Sequence, residues 1–249
     1  MKRRRLDEIL QESGKTKNAK EAFVIVTEGR VTIDGQKAIT PAQWVADGAV
    51  VAVREAMPYV SRGAYKLAAA LEAFRIDAVE KICADIGAAT GGFTQVLLER
   101  GAAKVYAIDT ARGKLALKIR RDPRIIVMEQ TDVRDLKTLP EKMDLAVIDV
   151  SLISLRNILG STRRLLAPRG IVIALFKPQY ETRNPRLLHH GVISTSEARE
   201  KLLADFMAWA PRNGWEIKNK IESPIHGAKG NTEYLLHLQS LTQTKFGSE

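Results

Sequence analysis

The run KICADIGAATGGFTQVLLERGAAKVYAIDT, residues 81–110, constrains the fold of this chain more than any other stretch. An apolar segment ends on Asp85. Gly87, Gly91 and Gly92 follow, and an amphipathic segment opens at about Phe93. A second apolar segment then ends on Asp109. Short apolar runs bounded by turn residues read as buried strands, and the 3.6-residue period between them reads as a helix. The pattern is a strand, a glycine-rich turn, a helix and a second strand, and the glycines let the backbone approach a ligand closely. The alternation continues along the chain. It predicts strands near 81–87, 104–109, 125–130, 144–150, 171–177, 215–222 and 232–239, and helices near 62–74, 92–100, 112–121, 154–167 and 195–213. The fold class expected is α/β, a Rossmann-like domain with a seven-stranded, mostly parallel sheet and helices on both faces.

The residues before this domain have a different grammar. RLDEIL places Leu6, Ile9 and Leu10 on one helical face, with Gly14 as a stop. NAKEAFVIVTEG reads as a second helix ending at Gly29, RVTIDGQKAI as a strand with an Asp-Gly turn, and GAVVAV as a closing strand. Residues 1–57 are therefore expected to form a small α+β domain, and residues 58–249 the larger one.

The chain has 39 basic and 29 acidic residues, a net charge of +10. That surplus favours a polyanionic partner such as nucleic acid or an anionic surface. Residues 1–57 carry 10 basic and 8 acidic side chains, so most of the surplus lies in the second domain. No apolar run approaches the roughly 20 residues of a membrane helix, and MKRRRLDEILQESG turns polar too early for a secretory signal. The single cysteine, Cys83, excludes an internal disulfide framework and is expected in the core of a cytoplasmic protein. No Cys/His cluster has metal-site spacing, and no metal is expected.

Two cofactor classes share the strand–turn–helix layout. Dinucleotide enzymes use G-x-G-x-x-G to seat a pyrophosphate; here the spacing is G-x-x-x-G-G, and that fingerprint fails. D-x-G-x-x-x-G fits S-adenosylmethionine, which has no phosphate to cradle. Asp109 stands where an acid can take two ribose hydroxyls, and Asp132 of TDVRDL is placed to meet an adenine amino group. The expected cofactor contacts are Asp85, Gly87, Ala88, Gly91, Gly92, Phe93, Asp109, Asp132, Val133 and Asp149.

Three further signals lie at ends of expected strands. DLAVIDVS ends in Asp149, IVIALFKPQYE breaks from its apolar run at Lys177, and GNTEYLLHL carries Glu233 just before its apolar run. Lys66 sits on the first helix of the larger domain. Taken singly, each reads as an ordinary surface charge or cap; jointly they could converge on the cleft. Arg62, Arg112, Arg156 and Arg183 are surface charges by default, with an RNA path as the alternative. KPQYETRNPRLLHHGVIS, punctuated by Pro178, Pro185 and Gly191, reads as a mobile loop that could gate a substrate.

YVSRGAYKL, DIGAATGGFT, GAAKVYAID, LAVIDVSLISL, ALFKPQYE and GNTEYLLHL together resemble the TlyA, or hemolysin A, family of ribosomal RNA methyltransferases, over residues 3 to 240. The second domain is similar to the FtsJ-like RNA 2′-O-methyltransferases. Their Lys-Asp-Lys-Glu tetrad implies catalytic roles for Lys66, Asp149, Lys177 and Glu233. The family commonly has SRGGLKL where this chain has Ala64 and Tyr65. The first domain resembles the S-four-type RNA-binding domain, with Lys17 and Asn18 where that family usually has a Ser-Arg pair.

The resemblance implies ribosomal RNA or ribosomal subunits as partner and a ribose 2′-hydroxyl, of a cytidine, as acceptor. Such a hydroxyl needs a base, and an in-line attack needs positioning. Lys177 is assigned the base, Lys66 the cationic field, Asp149 the orientation of Lys177, and Glu233 the ordering of the lysines. Three other readings compete. A cytolysin is disfavoured by the missing membrane segments, a non-catalytic assembly factor by the intact tetrad, and an NAD-dependent dehydrogenase by the failed fingerprint.

Overall fold

The computed structural model describes residues 3–55 and 58–241. The chain divides into two compact units, Met1–Pro58 and Tyr59–Glu249. Residue 57, where the sequence placed the boundary, lies outside the described residues.

In the first unit, β1 (Arg3–Arg5) leads into α1 (Leu6–Glu12), and α2 (Ala19–Thr27) follows. Asn18 caps α2, its Oδ1 accepting from the Glu21 N–H at 2.9 Å, which removes one orphan donor of the helix start. Next come β2 (Val31–Ile33), β3 (Gln36–Lys37), β4 (Trp44–Ala46) and β5 (Val51–Val53). The hairpin β2–β3 turns at Asp34 and Gly35, both at positive φ, as a two-residue hairpin loop with Asp-Gly demands. β5 pairs with the other edge of β2. Leu6, Leu10, Ala22, Ile25, Val26, Val31, Ala38 and Val45 close the core. The antiparallel pairing of β1 with β4 is additional to the expected elements. Three consecutive arginines carry no apolar alternation, so only backbone pairing reveals that strand.

The second unit runs α3 (Gly63–Phe74), β6 (Ile82–Ile86), α4 (Gly92–Glu99), β7 (Lys104–Asp109), α5 (Leu117–Arg120), β8 (Ile125–Glu129), β9 (Met143–Ile148), α6 (Leu155–Leu165), β10 (Leu166–Phe176), α7 (Pro178–Glu181), β11 (Leu188–His189), β12 (Val192–Ile193), α8 (Ser196–Arg212), β13 (Trp215–Glu222) and β14 (Tyr234–Ser240). The seven-stranded sheet has the order β13-β14-β10-β9-β6-β7-β8. β14 alone runs antiparallel to its neighbours β10 and β13; the remaining pairings are parallel.

The unbroken run Ile171–Phe176 follows from burial on both faces. Val172, Ala174 and Phe176 join the apolar layer with Leu155, Ile158, Leu159, Leu203 and Phe206 of α6 and α8. Ile173 and Leu175 join the opposite layer, with Leu67, Leu71, Val96 and Leu97 of α3 and α4. Cys83 lies in that second layer, and burial pushes its thiol up to about 12.

Three expectations are corrected. The helix expected over 112–121 is only Leu117–Arg120, because the chain turns first at Gly113, at positive φ. The helix expected to reach 167 ends at Leu165, since Pro168 disfavours a helical residue before it and Arg169 has positive φ. The 177–194 segment, expected as a loop, is built from short elements. The hairpin β11–β12 within it is stapled by buried Asn231, which accepts from the Ile193 N–H (3.2 Å) and donates to the Gly191 carbonyl (3.0 Å).

Candidate functional site

The carboxyl ends of β6, β7 and β9 open onto a cleft of about 1150 Å³, and Thr131, Asp132 and Val133 beyond β8 line it as well. This edge of an open α/β sheet is where ligands bind. Gly87 carries the turn after β6 at φ +90°, and a Cβ there would strike the Asp149 carbonyl. Its missing side chain lets two adjacent strand ends close up. At Gly92 a Cβ would collide with the Ser61 hydroxyl and stand 3.2 Å from the Ala64 nitrogen. That approach seats the start of α3 on the start of α4 and brings Lys66 to the same end of the sheet.

Four sequence-predicted residues meet there as two ion pairs. Lys177 Nζ lies 2.6 Å from Asp149 Oδ1 and donates to Ser151 Oγ at 3.1 Å. Lys66 Nζ donates to Glu233 Oε2 at 2.5 Å. Lys66, Lys177 and Glu233 are buried, while Asp149 retains a quarter of its side-chain exposure and lines the cleft. Glu233 arrives by topology. β14 runs antiparallel to β10, with Tyr234 opposite Phe176. The residue before β14 therefore stands beside the residue after β10.

The expected cofactor contacts divide. Gly87, Asp109, Asp132, Val133 and Asp149 line the cleft; Asp85, Ala88, Gly91, Gly92 and Phe93 do not. Asp109 accepts the Ala89 N–H (2.8 Å) on Oδ2 and the Ala111 N–H (2.7 Å) on Oδ1. Each oxygen takes one donor and keeps acceptor capacity for a hydroxyl. Asp132 is engaged by Arg134, whose Nη2 lies 2.6 Å from Oδ2, and this contact holds its carboxyl below the usual range. An adenine amino group would compete with that guanidinium. Asp85 is fully buried; its Oδ2 accepts from the Thr94 hydroxyl at 2.6 Å, and Oδ1 has no partner. Burial pushes its carboxyl up to about 7, against the Thr94 hydrogen bond. It supports the turn from below rather than from the cleft wall.

This lining fits S-adenosylmethionine. Asp109 offers acceptors for a ribose, and Ile86, Ile108, Val133 and Val150 offer apolar surface for a flat ring. Among the described residues no His/Cys/Asp/Glu group could hold a metal, and no helix is long and apolar enough to cross a membrane. Sequence reasoning missed Ser151 and Glu181. The only sequence signal is their spacing, two residues after Asp149 and four after Lys177.

Residues 59–240 match the family model of FtsJ-like methyltransferases. The chain is 37% identical over 245 residues to the 16S/23S rRNA (cytidine-2′-O)-methyltransferase TlyA of Mycobacterium tuberculosis, covering 97% of this chain and 91% of that one. It is 41% identical over 180 residues to the 23S rRNA (cytidine-2′-O)-methyltransferase TlyA of Campylobacter jejuni, covering 72% and 70%. A solved structure from Streptococcus thermophilus that carries the hemolysin name superposes with a TM-score of 0.73 at 36% identity, over 96% of this chain and 89% of that one. With the glycine turn, the two ion pairs and the strand order all in place, the chain belongs to the TlyA/hemolysin A family of FtsJ-like methyltransferases.

Proposed function

We propose that this methyltransferase transfers a methyl group from S-adenosylmethionine to a ribose 2′-hydroxyl of ribosomal RNA, a cytidine as in its TlyA relatives. The observation that carries the reading is the Lys177–Asp149 pair at the cleft edge beside the buried Lys66–Glu233 pair. S-adenosylmethionine, when bound, supplies an electrophilic methyl on a sulfonium. Asp109, Gly87 and Val133 would hold it, with Asp149 at the end nearest Lys177.

The chain's own residues then manage the hydroxyl and its proton. Lys177 is the general base: Nζ passes one proton through its contact with Asp149 to solvent and takes the 2′-hydroxyl proton in its place. Asp149 and Ser151 fix where that nitrogen points. Lys66 supplies the positive field that favours the developing oxyanion. Glu233 holds Lys66 in place and balances its charge. The first unit acts as an S-four-type RNA-binding domain, with exposed Lys15, Lys17 and Lys20 on hand for phosphates.

The test is methyl transfer from labelled S-adenosylmethionine to separated, unmodified ribosomal subunits, with Lys177→Ala as control. The expected result is label in RNA at a position resistant to alkaline cleavage, absent with the variant. Tight cofactor binding with no label in any ribosomal RNA would overturn the reading in favour of an assembly factor.

A further inference from the structure

We infer that Glu181 is a positioning residue for the reaction: it clamps the far end of the 149–155 loop, so that Asp149 and Ser151 stay against Lys177. The inference rests on the proposed function for the roles of Lys177 and Asp149. The clamp itself is a matter of geometry.

The loop after β9 begins at Asp149 and ends where α6 begins, at Ser154 and Leu155. Its near end is tied to Lys177 through Asp149 (2.6 Å) and Ser151 (3.1 Å). Its far end is tied to Glu181. One carboxylate oxygen, Oε2, accepts from the Ser154 hydroxyl at 2.6 Å and from Arg156 Nη1 at 3.1 Å. The other, Oε1, accepts from the Leu155 N–H at 2.7 Å. Lys177 caps the single helical turn α7, and Glu181 is its last residue. Two short segments are thus pinned together at both ends, and the base candidate sits at one of the pins.

Val150 and Ile153 of the loop pack against the apolar core, but the residues between them do not. Leu152 is at positive φ and is 86% exposed, so the middle of the loop has no apolar anchor there. Glu181 is costly to keep where it is. Its side chain is 1% exposed, and burial raises its carboxyl against the pull of Ser154, Leu155 and Arg156. A buried carboxylate persists where its hydrogen bonds are filled, and here all three donors come from the junction of this loop with α6. Arg156 is itself held over the Phe206 and Trp209 rings, at 5.5 and 5.7 Å. The clamp is therefore anchored to the core through α8.

Glu181→Gln keeps the shape and removes the charge. The expected result in the full-length protein is faster amide hydrogen exchange across residues 150–156 without any ligand, and a single-turnover methyl-transfer rate lowered roughly 10- to 100-fold. Glu181 borders the cleft, but its carboxylate is taken by three donors, so the KM for RNA should stay unchanged. Combination with Ser151→Ala should cost less than the product of the two single losses, because both act on one loop. Exchange and turnover within twofold of wild type would overturn the inference. So would losses that multiply, which mark Glu181 as a support independent of the loop. If Glu181→Gln fails to fold, Ser154→Ala removes one arm of the clamp together with the cap of α6, so the methyl-transfer rate and its non-additivity with Ser151→Ala are read in place of exchange. If the wild type methylates no ribosomal RNA, the proposed function fails, while the exchange experiment still decides the clamp.

Discussion

Lys66 and Glu233 lie 167 positions apart in the chain and meet at 2.5 Å in a site where their side chains are 9% and 3% exposed. Neither residue is adjacent in sequence to the other ion pair's Asp149. The meeting depends on α3 docking against α4 and on the reversed direction of β14. Both are properties of the assembled sheet.

Removing one member of this pair leaves the other buried and uncompensated. Lys66→Met or Glu233→Gln should each destabilise the protein by about 3–5 kcal/mol, whereas the double variant should recover much of the loss. Urea unfolding of the three variants checks this. Equal and additive losses would show that the pair is not coupled.

Lys177→Arg separates charge from proton acceptance. Arginine retains the cation and can still reach Asp149, but it does not deprotonate. Methyl transfer should fall by about 100-fold or more with S-adenosylhomocysteine binding preserved. Single-turnover kinetics beside calorimetric titration measure both, and an active arginine variant would remove the base role.

The Asp85 carboxyl, raised to about 7 by burial, makes stability depend on pH. Between about pH 4 and pH 7 the folded state holds a proton that the unfolded chain has released, so stability falls as pH rises through that window. Below it both states are protonated, and above it the cost is constant, on the order of 4 kcal/mol. Asp85→Asn should remove this component. Unfolding free energies of wild type and variant at pH 5 and pH 8 provide the comparison, and the variant should gain most at pH 8.

RNA affinity should fall steeply with salt if phosphate contacts dominate. Lys17→Ala and Lys20→Ala should each weaken binding evenly across RNA sequences and lower the salt slope by about one. Asn18→Ala, which removes the cap of α2, should instead cost about 1 kcal/mol of stability with the salt slope retained. Binding titrations over a salt series distinguish the two outcomes.

Much of this protein could be read along one dimension. The glycine spacing after Asp85, the acids closing β7 and β9, and the two-faced apolar run of β10 depend on local chemistry and period, so they are visible in the string of residues. So are Lys66, Asp149, Lys177 and Glu233, once the motifs around them are taken together. The β1–β4 ribbon was invisible, because backbone hydrogen bonds pair strands whose side chains carry no alternation. The engagement of Asp132 by Arg134 two residues on was equally hidden, since either side chain could have turned to solvent. The deep burial of Asp85 and the grip of Glu181 on the 149–155 loop come only from packing. Burial sets the charge of a carboxyl and chain reversal sets which loop ends touch, and both exist only when the sheet has closed.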